Sequence, residues 1–296
     1  MAIAHDFEYL KPGTLREAVR TLARYGPRAR VLAGGTDLIT LIGEAMAAPD
    51  AVVDIKGISG LDRIEFKNGA LSIGALVTFS DLRDSPIIAK KFPVIREMTG
   101  WLASPGIRNR ATMVGNLCSA VPCCDSGPIL MVYDAVIQVA GPAGKRKVPL
   151  SDWFVGPRKT VLKRGEVATG VVVLLPKKKH AACFVKLRRY EGEDLAQASV
   201  TVLALAGNSY RVSFGSVAPW PVRAHKIEAL LEGQQLSDSL IRKAAQLVPE
   251  EITPITDIRA TKEYRMHMCC VMLNRGLKAA TARLAGAGPE YGTSLI

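Results

Sequence analysis

An α+β fold is predicted for this chain from three features of its sequence. A short β-α-β unit opens it, a strand-and-hairpin texture takes over from Leu61, and two apolar strands followed by three helical patterns close it. The 296 residues are 48% hydrophobic and only 22% charged, which is the composition of a chain that buries a core rather than a disordered one. That length accommodates two or three subdomains.

Thr14-Leu-Arg-Glu17 is a capping-box pattern, and Leu15, Ala18, Val19 and Leu22 follow at helical spacing until Gly26-Pro27 stops them. A strand over Arg30 to Ala33, a glycine turn, a helix to about Ala45 and a strand over Ala51 to Ile55 complete the β-α-β unit. Asp62 to Phe66 and Leu71 to Leu76 flank Asn68-Gly69, the dipeptide that favours a tight hairpin. Helical patterns over Thr78 to Arg83 and Pro86 to Leu102 precede a second glycine turn, and strands are expected at Asp134 to Ala140 and Gly170 to Leu175. Pro176 to Lys179 reads as a boundary. Beyond it, Ala196 to Ala206 and Tyr210 to Val217 form strands joined at Gly207-Asn208. Helices follow over Val222 to Leu231, Ser237 to Leu247 and Thr261 to about Leu284, and Gly286 to Ile296 is expected to be a frayed or partner-bound tail. The domain boundaries that follow are 1–56, 57–177, 178–285 and a tail of 286–296.

No apolar run is long enough to span a bilayer, and MAIAHDFEYL lacks the basic and apolar regions of a signal peptide, so the chain is read as cytoplasmic. Its six cysteines include two adjacent pairs, an arrangement ill-suited to a disulfide framework. The formal charge of +12 raises nucleic-acid binding, but the basic residues are dispersed. Lys145 to Lys147 and Lys177 to Lys179 sit beside Gly and Pro in expected loops. A docking surface for an acidic partner subunit fits the same charge.

Two segments carry candidate chemistry. Val31 to Leu38, VLAGGTDL, is an apolar run broken by two glycines at the start of a helix. It lacks the Gly-Lys-Ser/Thr of a Walker loop and the third glycine of a dinucleotide fingerprint. What remains is a tight turn whose Gly35, Thr36 and Asp37 amides suit an anion, with an ordinary turn capped by Thr36 as the alternative. Ala111 to Asp125, ATMVGNLCSAVPCCD, reads as a similarly built turn. It offers Thr112, Gly115, Asn116 and Ser119 in one short loop, and the Asp125 carboxylate suits the two hydroxyls of a ribose. Asp125 equally suits a cap on a helix starting near Ser126. Two such loops suggest a diphosphate held from both sides.

These segments occur in order with Phe184-Val-Lys186-Leu-Arg-Arg, Asp194-Leu-Ala196 and Asp257-Ile-Arg-Ala-Thr-Lys-Glu-Tyr-Arg265. Together they resemble the FAD-binding medium subunit of the molybdenum hydroxylases, from Phe7 to about Leu277. The resemblance implies a p-cresol methylhydroxylase-type FAD domain of two α/β subdomains, followed by an antiparallel sheet with a helical bundle. It implies that Leu32, Ala33, Gly34, Gly35, Thr36, Asp37 and Leu38 wrap the FAD pyrophosphate, with Thr112, Val114, Gly115 and Asn116 gripping it opposite and Ser119 beside them. Asp125 would take the adenosine ribose, Leu102 would lie near the adenine, Val171 near the strand bordering the flavin, and Lys186 would reach the cofactor. Leu38 and Leu195 match apolar positions against the isoalloxazine. Lys186 has a plainer alternative as a solvated strand residue. Asp257, Arg259, Tyr264 and Arg265 are expected to fix the last helix rather than touch FAD.

The chain departs from the family pattern at Val114, where glycine is usual. A β-branched residue tolerates a left-handed conformation poorly, so ordinary backbone is expected there. Cys118, Cys123 and Cys124 stand near the expected cofactor, where packing rather than metal binding is expected, and the four histidines show no ligand spacing. No catalytic acid–base group and no metal site is therefore predicted. The resemblance implies an electron-transfer subunit partnered by a molybdenum-cofactor large subunit and a two-iron two-sulfur small subunit, holding FAD non-covalently and passing electrons to NAD+ or another acceptor. A self-sufficient flavin oxidase of the same fold and a basic nucleic-acid-binding module are the competing readings.

Overall fold

The computed structural model describes residues 5–190 and 194–296. The first unit is a parallel three-stranded sheet in the order β1-β3-β2, formed by β1 (Glu8–Leu10), β2 (Ala29–Leu32) and β3 (Ala51–Asp54). Helix α1 (Leu15–Tyr25) connects β1 to β2, and α2 (Leu38–Gly43) connects β2 to β3. The capping box at Thr14 and Glu17 is formed reciprocally, satisfying two backbone donors that would otherwise be orphaned at the start of α1.

The hairpin β4 (Ile64–Lys67) and β5 (Ala70–Gly74) turns at Asn68 and Gly69, with φ of 52° and 75° as a primed turn requires. It joins β6 (Val136–Gly141), β7 (Gly144–Pro149) and β10 (Val167–Leu174) in an antiparallel sheet of order β4-β5-β10-β6-β7, while β8 (Phe154–Gly156) pairs only with β9 (Lys159–Thr160). The Lys145 to Lys147 run therefore lies in an edge strand, not in a loop. Lys145 and Lys147 are exposed, and charge on an edge discourages further strand pairing.

Between β5 and β6 run α3 (Phe79–Asp84), α4 (Pro86–Lys91), α5 (Pro93–Gly100), α6 (Pro105–Arg108), α7 (Met113–Ser119) and α8 (Ser126–Val132). The single helix expected over Pro86 to Leu102 is two helices, because Pro93 has no amide to continue the ladder of α4 and instead opens α5.

The last sheet is antiparallel, with β11 (His180–Leu187) outermost, then β12 (Ala198–Leu205), β13 (Ser209–Gly215) and β14 (Val222–Arg223). Val222 thus opens a strand, and α9 (His225–Leu231) begins three residues later. Helices α10 (Asp238–Gln246), α11 (Val248–Glu251) and α12 (Lys262–Ala285) complete the chain. The tail expected to be frayed or partner-bound is tied to the chain itself: Gly292 N donates to Glu97 at 3.0 Å and Ala182 N to the Tyr291 hydroxyl at 3.4 Å.

Two cores form. Ala182, Phe184, Leu203 and Leu205 join the first, while Cys183, Val185, Leu187, Val200, Val202 and Ala204 join the second, against α12. Alternate residues of a strand face opposite ways, so β11 and β12 are apolar on both faces and act as a wall between the cores. Lys186 shares the parity of Ala182 and Phe184 and so faces the first core. Among the described residues, no helix is long and apolar enough to cross a membrane.

Candidate functional site

The VLAGGTDL turn leaves the end of β2 and enters α2. Gly35 has φ of +83°, a conformation that glycine supplies without a Cβ penalty. Gly34 backs onto the second segment so closely that a Cβ would stand 2.0 Å from the Arg110 carbonyl oxygen. The Thr36-capped turn is not what forms. Asp37 occupies the cap position of α2 and makes no cap hydrogen bond with its side chain. Its Oδ2 instead accepts from Ser119 Oγ at 3.0 Å and faces Arg158 Nη1 at 3.4 Å.

The second segment is not a copy of the first. Thr112 caps α7 by accepting from Gly115 N at 3.0 Å, and Met113 to Ser119 are helical. Val114 is therefore in ordinary helical backbone, as its β-branch demands, and is buried. Gly115 is needed for closeness rather than for positive φ, because a Cβ there would stand 2.7 Å from Thr112 Oγ1. The left-handed residue is Ala120, at φ 47°, where α7 ends. Asn116 Oδ1 accepts from Ser126 N at 3.4 Å, linking α7 to α8.

Asp125 stands at the cap position of α8 without making a cap bond. Its Oδ2 accepts from Lys186 Nζ at 2.7 Å, and both side chains are at least nine-tenths enclosed. The ammonium also donates to the Trp101 carbonyl at 3.1 Å. Lys186 is thus no solvated strand residue. Asp125 Oδ1 is buried and has no hydrogen-bond partner among the described residues, a costly state for an acceptor unless something docks against it. Burial pushes the Asp125 carboxyl above its ordinary range, with Lys186 offsetting only part of that rise.

Two groups of predicted residues are therefore brought together. One joins Gly34 and Asp37 to the Arg110–Ser119 segment; the other joins Asp125 to Lys186, and Asn116 connects the two through Ser126. Leu32, Ala33, Thr36 and Leu38 are half-buried around the first. Leu102 and Val171 lie in the first core, Val171 between Ile73 and Ile137 in the sheet. Leu195, 47% exposed ahead of β12, is not part of either group. Sequence reasoning missed Trp101 and Arg158. Arg158, at φ 57°, carries no local signal, since only the fold brings it to Asp37.

Burial pushes the Cys118 thiol up to about 12 and raises Cys123 and Cys124, so none of the three is an activated thiolate nucleophile. At the far end of the chain, Arg265 Nη2 meets Asp257 Oδ1 at 2.6 Å and its Nη1 donates to the Gln197 and Ser216 carbonyls. Arg259 faces the same carboxylate at 3.9 Å, and Tyr264 lies exposed on the first turn of α12. The expected ion pairs fixing that helix are present.

Comparison with known proteins gives a consistent result over most of the chain. Residues 5–177 match the family described as FAD binding domain in molybdopterin dehydrogenase, and residues 182–280 match the CO dehydrogenase flavoprotein C-terminal domain. The carbon monoxide dehydrogenase medium chain of Afipia carboxidovorans is 32% identical over 95% of this chain and 99% of its own length. The xanthine dehydrogenase FAD-binding subunit of Escherichia coli O157:H7 is 28% identical over 95% and 98%. Among solved structures, carbon monoxide dehydrogenase from Hydrogenophaga pseudoflava superposes with a TM-score of 0.92 at 31% identity, covering 96% of this chain and 99% of that one.

Proposed function

This chain belongs to the FAD-binding medium subunits of the CO dehydrogenase and xanthine dehydrogenase type of molybdenum hydroxylase, and on that premise we propose that its two glycine-containing segments clamp the FAD pyrophosphate while Asp125 takes the adenosine ribose. The residues fit that cofactor on their own chemistry. Gly34 lets the two segments meet backbone to backbone and Gly35, at φ +83°, turns the chain into α2, and a diphosphate needs backbone amides of such a turn at close approach.

The observation that carries the reading is the unpartnered Asp125 Oδ1. A carboxylate held by Lys186 on one oxygen and unpaired on the other has an acceptor that a ribose hydroxyl would satisfy. Leu32 to Leu38 and Thr112 to Asn116 would bracket the pyrophosphate, with Ser119 and Asp37 locking one segment to the other. Lys186 would orient Asp125 and balance its charge. Leu102 would lie near the adenine end, Val171 near the strand bordering the flavin, and Leu38 and Leu195 against the flavin. The chain's contribution is binding and orientation, because no acid–base pair is needed for electron passage.

Bound FAD supplies exchange between one-electron and two-electron carriers. We place the chain in an assembly with a molybdenum-cofactor large subunit and a two-iron two-sulfur small subunit, in which electrons leave to NAD+ or another acceptor. The free cysteines fit a reducing compartment, the cytoplasm. The test is reconstitution. The purified chain should be yellow and inactive alone, then support substrate-dependent reduction of NAD+ or a dye once the other two subunits are added. Substrate turnover by the isolated chain would contradict the assignment.

A further inference from the structure

Glu97 is a carboxylate on the buried face of α5, 4% exposed among Val94, Ile95 and Met98. Its Oε1 accepts from Arg283 Nη2 at 2.7 Å and Gly292 N at 3.0 Å, and its Oε2 from Phe184 N at 3.0 Å. Arg283 in turn donates to the Ala182, Pro289 and Glu290 carbonyls and lies 4.0 Å over the Tyr291 ring. Because β11 is an outer strand, its backbone groups at Ala182 and Phe184 face away from the sheet. Glu97, Arg283 and Tyr291 satisfy them in place of a neighbouring strand.

The next residue of that parity is Lys186. Its ammonium meets the carbonyl of Trp101, one turn beyond Glu97. Helix α5 and its cap therefore hold β11 at two points, and segment 288–296 completes the first of them. Thr293 to Ile296 also wall a cavity of about 240 Å³ whose other side includes Trp101, Lys186 and Arg188.

We propose that segment 288–296 is a positioning strap for the adenosine end of the cofactor site. Acting through Glu97 and Arg283, it fixes β11 and so sets Lys186 against Asp125. The proposal rests on the reading that Asp125 takes the adenosine ribose. The strap residues are mostly exposed, and only the half-buried Leu295 packs against the second core, so removing them withdraws the constraint with little loss of buried apolar surface.

The test compares FAD with FMN, which lacks the adenosine end, binding to the flavin-free full-length chain and to a chain stopped after Ala287. The truncated chain should bind FAD about tenfold more weakly, the size of one impaired charge-assisted hydrogen bond, and FMN unchanged. A merely structural tail would weaken both ligands alike, and that result, or no change in either, overturns the proposal. Should the shortened chain fail to fold, Tyr291→Ala in the full-length chain must lower the preference for FAD in the same direction, and an unchanged preference there overturns it equally. Asp125→Asn separates the two layers. If it leaves the FAD-to-FMN ratio intact, the ribose assignment falls and the strap with it; if it abolishes the ratio while truncation preserves it, the strap alone falls.

Discussion

Lys186 Nζ lies 2.7 Å from Asp125 Oδ2, and neither side chain is more than 7% exposed. The pair joins the last sheet to the helical segment between β5 and β6, so cutting it has consequences for stability and for ligand binding that separate. Removing one partner leaves an uncompensated buried charge, and Lys186→Met should cost about 3–5 kcal/mol. Replacing both partners with apolar residues, Lys186→Met with Asp125→Leu, should recover most of that loss. Flavin retention should not recover, because the proposed ribose acceptor is gone. Thermal melting alongside flavin content checks both halves.

Acid should release flavin before it unfolds the chain. Burial raises the Asp125 carboxyl, so this group takes up a proton at a higher pH than an ordinary carboxylate. A carboxylate raised in the folded state subtracts stability at neutral pH and returns it on acidification, so its protonation does not drive unfolding. It does remove the charge of the proposed ribose acceptor. Glu166 is lowered by the Arg146 fork. At Asp257 burial works upward but is outweighed by the Arg259 amide and the Arg265 guanidinium, leaving it lowered. Their stabilisation is present above the ordinary carboxylate range and disappears only as pH falls through their own lower values. Flavin fluorescence recorded with far-UV circular dichroism against pH should show release at the higher pH; coincident transitions would contradict this ordering.

The two glycines of the first turn should differ when substituted. Gly34→Ala drives a Cβ into the Arg110 carbonyl, backbone against backbone, and should destabilise the whole segment pair whether or not flavin is present. Gly35→Ala meets Leu32 Cδ1 at 3.0 Å and incurs the left-handed penalty, about 1–2 kcal/mol. The apoprotein should tolerate it better, so flavin affinity loss relative to melting-temperature loss is larger for Gly35→Ala. Loss of flavin in a Gly34 variant alone is not diagnostic of a phosphate contact.

Arg265→Met tests the opposite kind of residue. The guanidinium is 3% exposed and serves the Gln197 and Ser216 carbonyls and Asp257, so its loss should cost about 3–5 kcal/mol. Flavin per folded chain should stay unchanged. A full melting temperature with lost flavin would move Arg265 into the cofactor site.

Local signals were strong where chemistry is local. The capping box at Thr14, the hairpin at Asn68-Gly69 and the Gly207-Asn208 turn are legible because each conformation is demanded by two or three adjacent residues. Pro93 splits what periodicity reads as one helix, and a stricter weighting of proline would have found that break. The second segment misled by its glycine: Gly115 suggests a turn, yet Thr112 makes it the first turn of a helix. Asp125 and Lys186 each have a plainer reading alone, and the burial of the two as an ion pair, with no cap bond from Asp125 to α8, removes both plainer readings. Glu97 was open to discovery, since a carboxylate amid buried apolar positions on a helix asks for a partner. Arg283 and Tyr291, nearly two hundred residues away, are not predictable from any local pattern.

The most direct measurement is the identity and stoichiometry of flavin released from the purified, folded chain, compared between the native sequence and Asp125→Asn. One FAD per chain, released intact on denaturation and bound at least about tenfold more weakly by the variant, is the predicted result. A folded chain without flavin, or FAD held equally tightly by Asp125→Asn, would contradict the assignment of Asp125 to the cofactor.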